Sequence, residues 1–193
     1  MKIHITKGND KLVNIHNIST LPGVDCGKNV PCHRRDGCYA VKFLMYPSVM
    51  KAWRDNSDYQ RKDMAGYFEA IASYMRRYKP EFFRIHVAGD FTSQQTYNAW
   101  ASIAQSNPKT KFMAYTKRHE FNFKGRPRNL AILFSYWPGW GDIKSASKNK
   151  CRMSFMQDGT EQRVTGNEYV CSGTCENCKV CWDGERDIVF AKH

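Results

Sequence analysis

No stretch of about eighteen apolar residues occurs in this 193-residue chain, which speaks against a membrane-spanning helix. No basic n-region leads into an apolar h-region either, so the chain is expected to stay in the cytosol. A Gly-x-x-x-x-Gly-Lys-Ser/Thr loop and a Gly-x-Ser-x-Gly elbow are both missing, which removes support for a phosphate-loop NTPase and for a serine hydrolase. Internal repeats and low-complexity tracts are also missing, and the length suits one α/β domain over 1–193. Acidic residues are scarce: 18 Asp and Glu stand against 30 Lys and Arg, a formal charge of +12. That balance favours polyanionic partners, nucleic acid first, reached through a basic surface. Because the cations are spread along the chain, a plain solubility charge explains them as well.

Cysteine, by contrast, is plentiful, with eight residues. In a reducing cytosol such a count points to metal rather than to disulfides. Four lie in Cys171-Ser-Gly-Thr-Cys175-Glu-Asn-Cys178-Lys-Val-Cys181. Soft thiolates at gaps of three, two and two suit the separate irons of a cubane, whereas zinc usually draws on two separated pairs. A zinc knuckle remains the alternative for this run. Three more, Cys26, Cys32 and Cys38, stand at two equal gaps of five in a loop with glycines and a proline. Such a backbone is able to wrap a compact group and hold it by three thiolates. His33, Arg34 and Arg35 lie among them, where they lower thiolate pKa values, contact an anion or simply form a solvated loop face. Cys151 is the one spare thiol and a candidate metal ligand, as a fourth for the loop group.

In chain order, Leu12–Ser19 reads as a first strand, and Leu21-Pro22-Gly23 ends it. Tyr39, Phe43, Tyr46, Val49, Met50 and Trp53 suit an amphipathic helix kinked at Pro47. A second helix has Asp63 as N-cap, an apolar face of Phe68, Ile71, Ala72 and Met75, and cations before Pro80. Phe82–Phe91 is the strongest strand and turns at Gly89-Asp90. Thr92-Ser-Gln-Gln95 has the form of a capping box for the helix that follows. Strands at Lys111–Lys117 and Asn129–Tyr136 continue a β-α-β pattern with parallel strands. Either an open doubly wound sheet or an incomplete (β/α) barrel satisfies it. Both bring Gly89, Asp90, Thr116 and Lys117 to the rim that carries the first cysteine loop. From 142 the character changes: a short apolar run at Cys151–Met156, the cysteine cluster and a last strand at Ile188–Ala191. With so few apolar positions, 142–187 is expected to pack on the same domain as a cysteine-rich iron–sulfur segment.

Arg84-Ile-His-Val-Ala-Gly-Asp-Phe, Asn98-Ala-Trp-Ala-Ser-Ile-Ala, Phe112-Met-Ala-Tyr-Thr-Lys and the terminal run closing in Cys181-Trp182 together resemble the bacteriophage gene product 88 family. The likeness covers most of 12–182 and implies a protein of the host cytoplasm. The loop ending in Cys38-Tyr39 is also similar to the cluster loop of radical S-adenosylmethionine enzymes, although gaps of five and five replace their three and two. The tighter spacing is found at Cys171, Cys175 and Cys178. That resemblance implies a radical-SAM-like partial barrel, with Ala88-Gly89-Asp90 receiving the methionine moiety of S-adenosylmethionine and with Gly89, Asp90 and Lys117 as cofactor-binding residues.

Three functions compete. The first is a redox or radical enzyme with one or two [4Fe-4S] clusters, served by an electron donor. The second is a non-catalytic iron–sulfur protein that binds nucleic acid. The third is a zinc-stapled interaction protein.

Overall fold

The computed structural model describes residues 1–193 except 9, 10, 29, 31, 33–37, 137–142, 158–165, 184, 192 and 193. His33, Arg34 and Arg35 therefore lie outside the described residues. Among the described residues the chain builds one eight-stranded sheet in the order β1-β2-β3-β4-β5-β6-β8-β7. The strands are β1 (Ile5–Thr6), β2 (His16–Ile18), β3 (Phe82–Ile85), β4 (Lys111–Thr116), β5 (Leu130–Ser135), β6 (Arg152–Gln157), β7 (Glu168–Val170) and β8 (Asp187–Ala191). Only the β1–β2 pair is antiparallel; every other neighbouring pair is parallel. From β2 to β6 each new strand joins the same edge, so the order never reverses as a doubly wound sheet requires.

Alternation of side chains along the strands divides the core between the two faces. Phe83, Ile85, Phe112, Ala114, Ile132 and Phe134 pack with Ile71, Met75 and Trp100 from the helices α2 (Met64–Tyr78) and α3 (Gln94–Ser106). Met113, Leu133 and Ile188 lie in a second cluster that contains Trp182 and the half-buried Cys171, Cys175 and Cys181. The cysteine-rich segment thus covers one face of the sheet.

Several local expectations are corrected. The helix expected from Cys38 to Trp53 is two elements, a 3-10 helix (Val41–Met45) and α1 (Pro47–Lys62). Pro47 has no N–H and stands at the first turn, where none is needed, so it starts a helix instead of kinking one. The second half of α1 shows no apolar period because the residues it buries are Asn56, Ser57 and Gln60. Asn56 is fully buried and bridges β1 and β2, accepting from His4 N at 2.8 Å and donating to Ser19 O at 2.9 Å. Asp63 caps α2 as expected, accepting from Gly66 N at 2.8 Å. The capping box of α3 sits one residue later than expected, on Ser93 and Thr96.

The first strand is shorter than Leu12–Ser19, since Asn14 takes a left-handed φ of 56° that breaks the extended run. β3 likewise stops at Ile85 instead of Phe91, because His86 (φ 53°) and Gly89 (φ 82°) turn the chain. The short elements β1, β7, α4 (Ile143–Lys148) and α5 (Val180–Asp183) have too few residues to show a period. Among the described residues no helix is long and apolar enough to cross a membrane.

Candidate functional site

Parallel β2, β3 and β4 end on one rim, and the chain leaving each carries chemistry-bearing residues. The rim is stitched by backbone bonds: Val87 N to Ile18 O at 3.2 Å and Thr20 N to Ala88 O at 3.0 Å. Gly89 lies against Thr20, and a Cβ there would meet Thr20 Oγ1 at 2.0 Å. With its positive φ as well, the position admits only glycine. Asp90 is 4% exposed. Its Oδ1 accepts from Phe91 N and Thr116 Oγ1, and its Oδ2 from Lys117 N, each at 2.8 Å. Burial nonetheless raises its pKa, against the opposing effect of those bonds and of the Lys117 charge. Asp90 is therefore a clamp between the β3 and β4 ends, not the helix cap that Ser93 provides.

The cysteine loop is anchored beside this clamp. Asp25 is 2% exposed; it accepts from Leu21 N at 3.1 Å, from Ser57 Oγ, and from Arg61 Nη1 at 2.9 Å. One carboxylate thus joins the start of the loop to α1. Asp25→Ala leaves these donors without their acceptor, while Arg61, 41% exposed, still reaches water. We expect a loss of about 2–3 kcal/mol in urea unfolding. A loss below ~0.5 kcal/mol would show that the loop is held by other contacts.

Cys26, Cys32 and Cys38 meet on this rim. The Cys32 thiol donates to Cys38, which lowers the pKa of Cys38 to about 6 and raises that of Cys32. Burial pushes Cys26 up to about 11; Asp90 and Cys38 add to the rise, while a Gly23 N–H and Lys117 oppose it. Lys117 favours the thiolate form of all three cysteines, so its ammonium is the charge they share. The Tyr39 hydroxyl, next to Cys38, donates to Val87 O and fixes the end of the loop on the chain leaving β3.

The second thiol group forms on the covered face of the sheet. Cys171 N donates to Val189 O at 2.8 Å and Cys175 N to Lys11 O at 2.9 Å, which ties the segment to β8 and to the chain before β2. Burial raises the Cys175 pKa, and the neighbouring thiolates of Cys171 and Cys178 raise it further, against Arg84 and Lys11. Cys181 is pushed up to about 11 by burial, and its Sγ lies 2.9 Å from Tyr115 Oη. Cys178 Sγ stands 3.6 Å from Tyr169 Oη. Arg152 of β6 holds the turn in place, donating to Cys181 O at 2.7 Å and Arg186 O at 2.8 Å.

Arg84 and Tyr115 stand outside the cysteine motifs of the sequence. The Arg84 guanidinium lies 5.0 Å from the Tyr115 ring centroid and opposes the burial-driven rise in thiol pKa of both Cys175 and Cys181. Its Nε is buried without a hydrogen-bond partner among the described residues. A cation inside the apolar run Phe82-Phe-Arg-Ile was the available signal, since strand residues of that kind rarely carry charge. Cys151 belongs to neither thiol group. It is buried in the helix-covered core, where burial raises its pKa to about 11 and Arg126 and Arg152 oppose the rise. Among the described residues no three His, Cys, Asp or Glu side chains gather closely enough to hold a single metal ion.

Fold and site together define a mostly parallel α/β protein with seven of its eight thiols in two groups. The chain belongs to the Gene product 88 family, whose profile matches residues 4–180. It is similar to the Gene 88 protein of Mycobacterium phage L5, 26% identical over 223 aligned residues that cover 98% of this chain and 92% of the relative. The Gene 88 protein of Mycobacterium phage D29 is 28% identical over 224 residues, with the same two coverages. No solved structure matches the chain significantly. The family expected from the strand and cysteine motifs is the family found.

Proposed function

We propose that this protein is an iron–sulfur redox or radical-type enzyme with two [4Fe-4S] clusters. Cys26, Cys32 and Cys38 would hold one cluster, and Cys171, Cys175, Cys178 and Cys181 the other. The observation that carries the reading is the convergence of the three loop thiols on Lys117 at the rim where β2, β3 and β4 end. Lys117 offsets part of the negative charge that three thiolates bring, and Arg84 does the same beside Cys175 and Cys181. The donor set fits the group: soft thiolates shared among several irons need not crowd one point, as ligands of a single zinc must. A bound cluster supplies one-electron chemistry, drawn from an electron donor, while the rim orients the substrate. With Cys151 in the other core, the loop offers three thiols, which leaves one iron for a substrate or cofactor. Sequential addition of parallel strands supports the incomplete barrel as the finer fold.

The strand end expected to receive S-adenosylmethionine lends that cofactor little support. Ala88 O already accepts from Thr20 N, both Asp90 oxygens already accept hydrogen bonds, and Thr20 fills the space beside Gly89. No step is built on that cofactor. Protein purified without air should be brown and contain iron and sulfide in near-equal amounts. Colourless protein with stoichiometric zinc would overturn the assignment and favour the stapled interaction protein.

A further inference from the structure

The N-terminal ends of β5 and β6, at the opposite end of the sheet from Cys26, Cys32 and Cys38, border a groove of about 610 Å³. Lys124, Arg126, Arg128, Lys148, Lys150 and Arg152 line it, and the one carboxylate among the lining residues is Asp183. Lys111 Nζ stands 3.6 Å from that carboxylate and offsets it. Arg126 donates to Asn149 O at 2.8 Å, and Arg152 to Cys181 O at 2.7 Å and Arg186 O at 2.8 Å. Carbonyl acceptors orient a guanidinium without neutralising it, so both arginines shape the wall and keep their charge. Lys124, Arg128, Lys148 and Lys150 form no ion pair among the described residues. Folding thus gathers like charges round a concavity although they repel one another, a cost that a bound polyanion offsets.

Beyond Lys124, Gly125 and Arg126 the groove continues into a depression of about 390 Å³ with the amide side chains of Asn98 and Asn122, held by Gln94, which donates to Asn98 Oδ1 and Asn122 O at 3.0 Å each. Charged and amide donors therefore follow one another along a track instead of closing on a single small anion. Trp182 lines the groove but is only 6% exposed, so it presents no face for stacking a base.

We propose that this groove binds the phosphate backbone of a nucleic acid, without reading its bases. The proposal does not depend on what the thiols hold. Binding of a fluorescent 20-base-pair DNA duplex of mixed sequence to the full chain, followed by anisotropy over a salt series, tests it. Lys124→Gln, Arg128→Gln and Lys148→Gln combined should lower the slope of log K against log salt by about 2–3, and the affinity at ~0.1 M salt by roughly tenfold or more. A control with the same loss of charge, Lys2→Gln, Lys42→Gln and Lys62→Gln combined, should change the slope by less than about one. Should the groove triple fail to fold, Lys124→Gln and Lys148→Gln singly should each lower the slope by about one. Equal effects of groove and control changes, no binding by the native protein at low salt, or equal competition by polyglutamate would each overturn the proposal.

Discussion

Cys32→Ala is expected to remove about half of the iron from anaerobically prepared protein, and Cys151→Ala almost none. Cys32 donates to Cys38 in a loop where both also sense Cys26 or Lys117, so taking away its sulfur leaves two thiolates for a group that needs at least three. Cys175→Ala should remove the other half through the C-terminal group, and with it a different part of the electron paramagnetic resonance spectrum. Cys151 is 9% exposed and packed in the helix-covered core, where alanine leaves a small cavity costing about 1 kcal/mol and no unfilled iron site. Iron and sulfide assays on the three variants decide the matter. Loss of a whole cluster from Cys151→Ala would show that Cys151 is the fourth protein ligand of the loop cluster. The function would then shift to electron transfer or to a structural staple, since no iron would be left open to substrate.

Acid should destabilise the fold through His86. Its ring is 3% exposed, packed edge-on to Phe91 at 5.3 Å and Trp100 at 6.2 Å, and neither nitrogen has a partner among the described residues. Burial lowers its pKa to about 3. An unfolded chain takes up this proton near pH ~6.5. Between those values the unfolded state binds more protons, so stability falls as pH falls through the window. By pH 5 the loss from this residue should be about 2 kcal/mol, growing to several by pH 3. His86→Asn keeps a side chain that tolerates the left-handed backbone and removes the titration. Urea unfolding from pH 7 to 4.5 should therefore show a shallower decline for the variant. His16, whose pKa burial and Lys7 also lower, contributes equally to both proteins and cancels in the comparison. Parallel declines would mean that His86 is reached by water or an acceptor when protonated.

Thiol spacing at 171–181 and the β-α-β pattern from Phe82 onward were legible because both rest on short-range geometry. A gap of two or three residues confines thiolates to one neighbourhood whatever the fold, and a parallel strand pair with a helix between announces itself by period. Asp63 as a cap and Gly89 as a turn were legible for the same reason. The polar half of α1 was not, since Asn56, Ser57 and Gln60 are buried through partners that lie far away in sequence: His4 and Ser19 beside β1 and β2, Asp25 of the cysteine loop, and Thr92 before α3.

Tertiary structure alone decided the rest. Side-chain alternation put Arg84 and Tyr115 on the face that Cys171–Cys181 covers and Cys151 on the other face. Parallel registry set Asp90 against the β4 end, which made it a clamp with both oxygens engaged. Spread-out cations of the sequence, among them Lys124, Arg128 and Lys148, line one groove only because β6 joins β5 at Leu133, which brings the chain entering β6 beside the chain entering β5. Local chemistry was written in neighbouring residues, whereas partnership across the sheet depends on a strand order that no single stretch encodes.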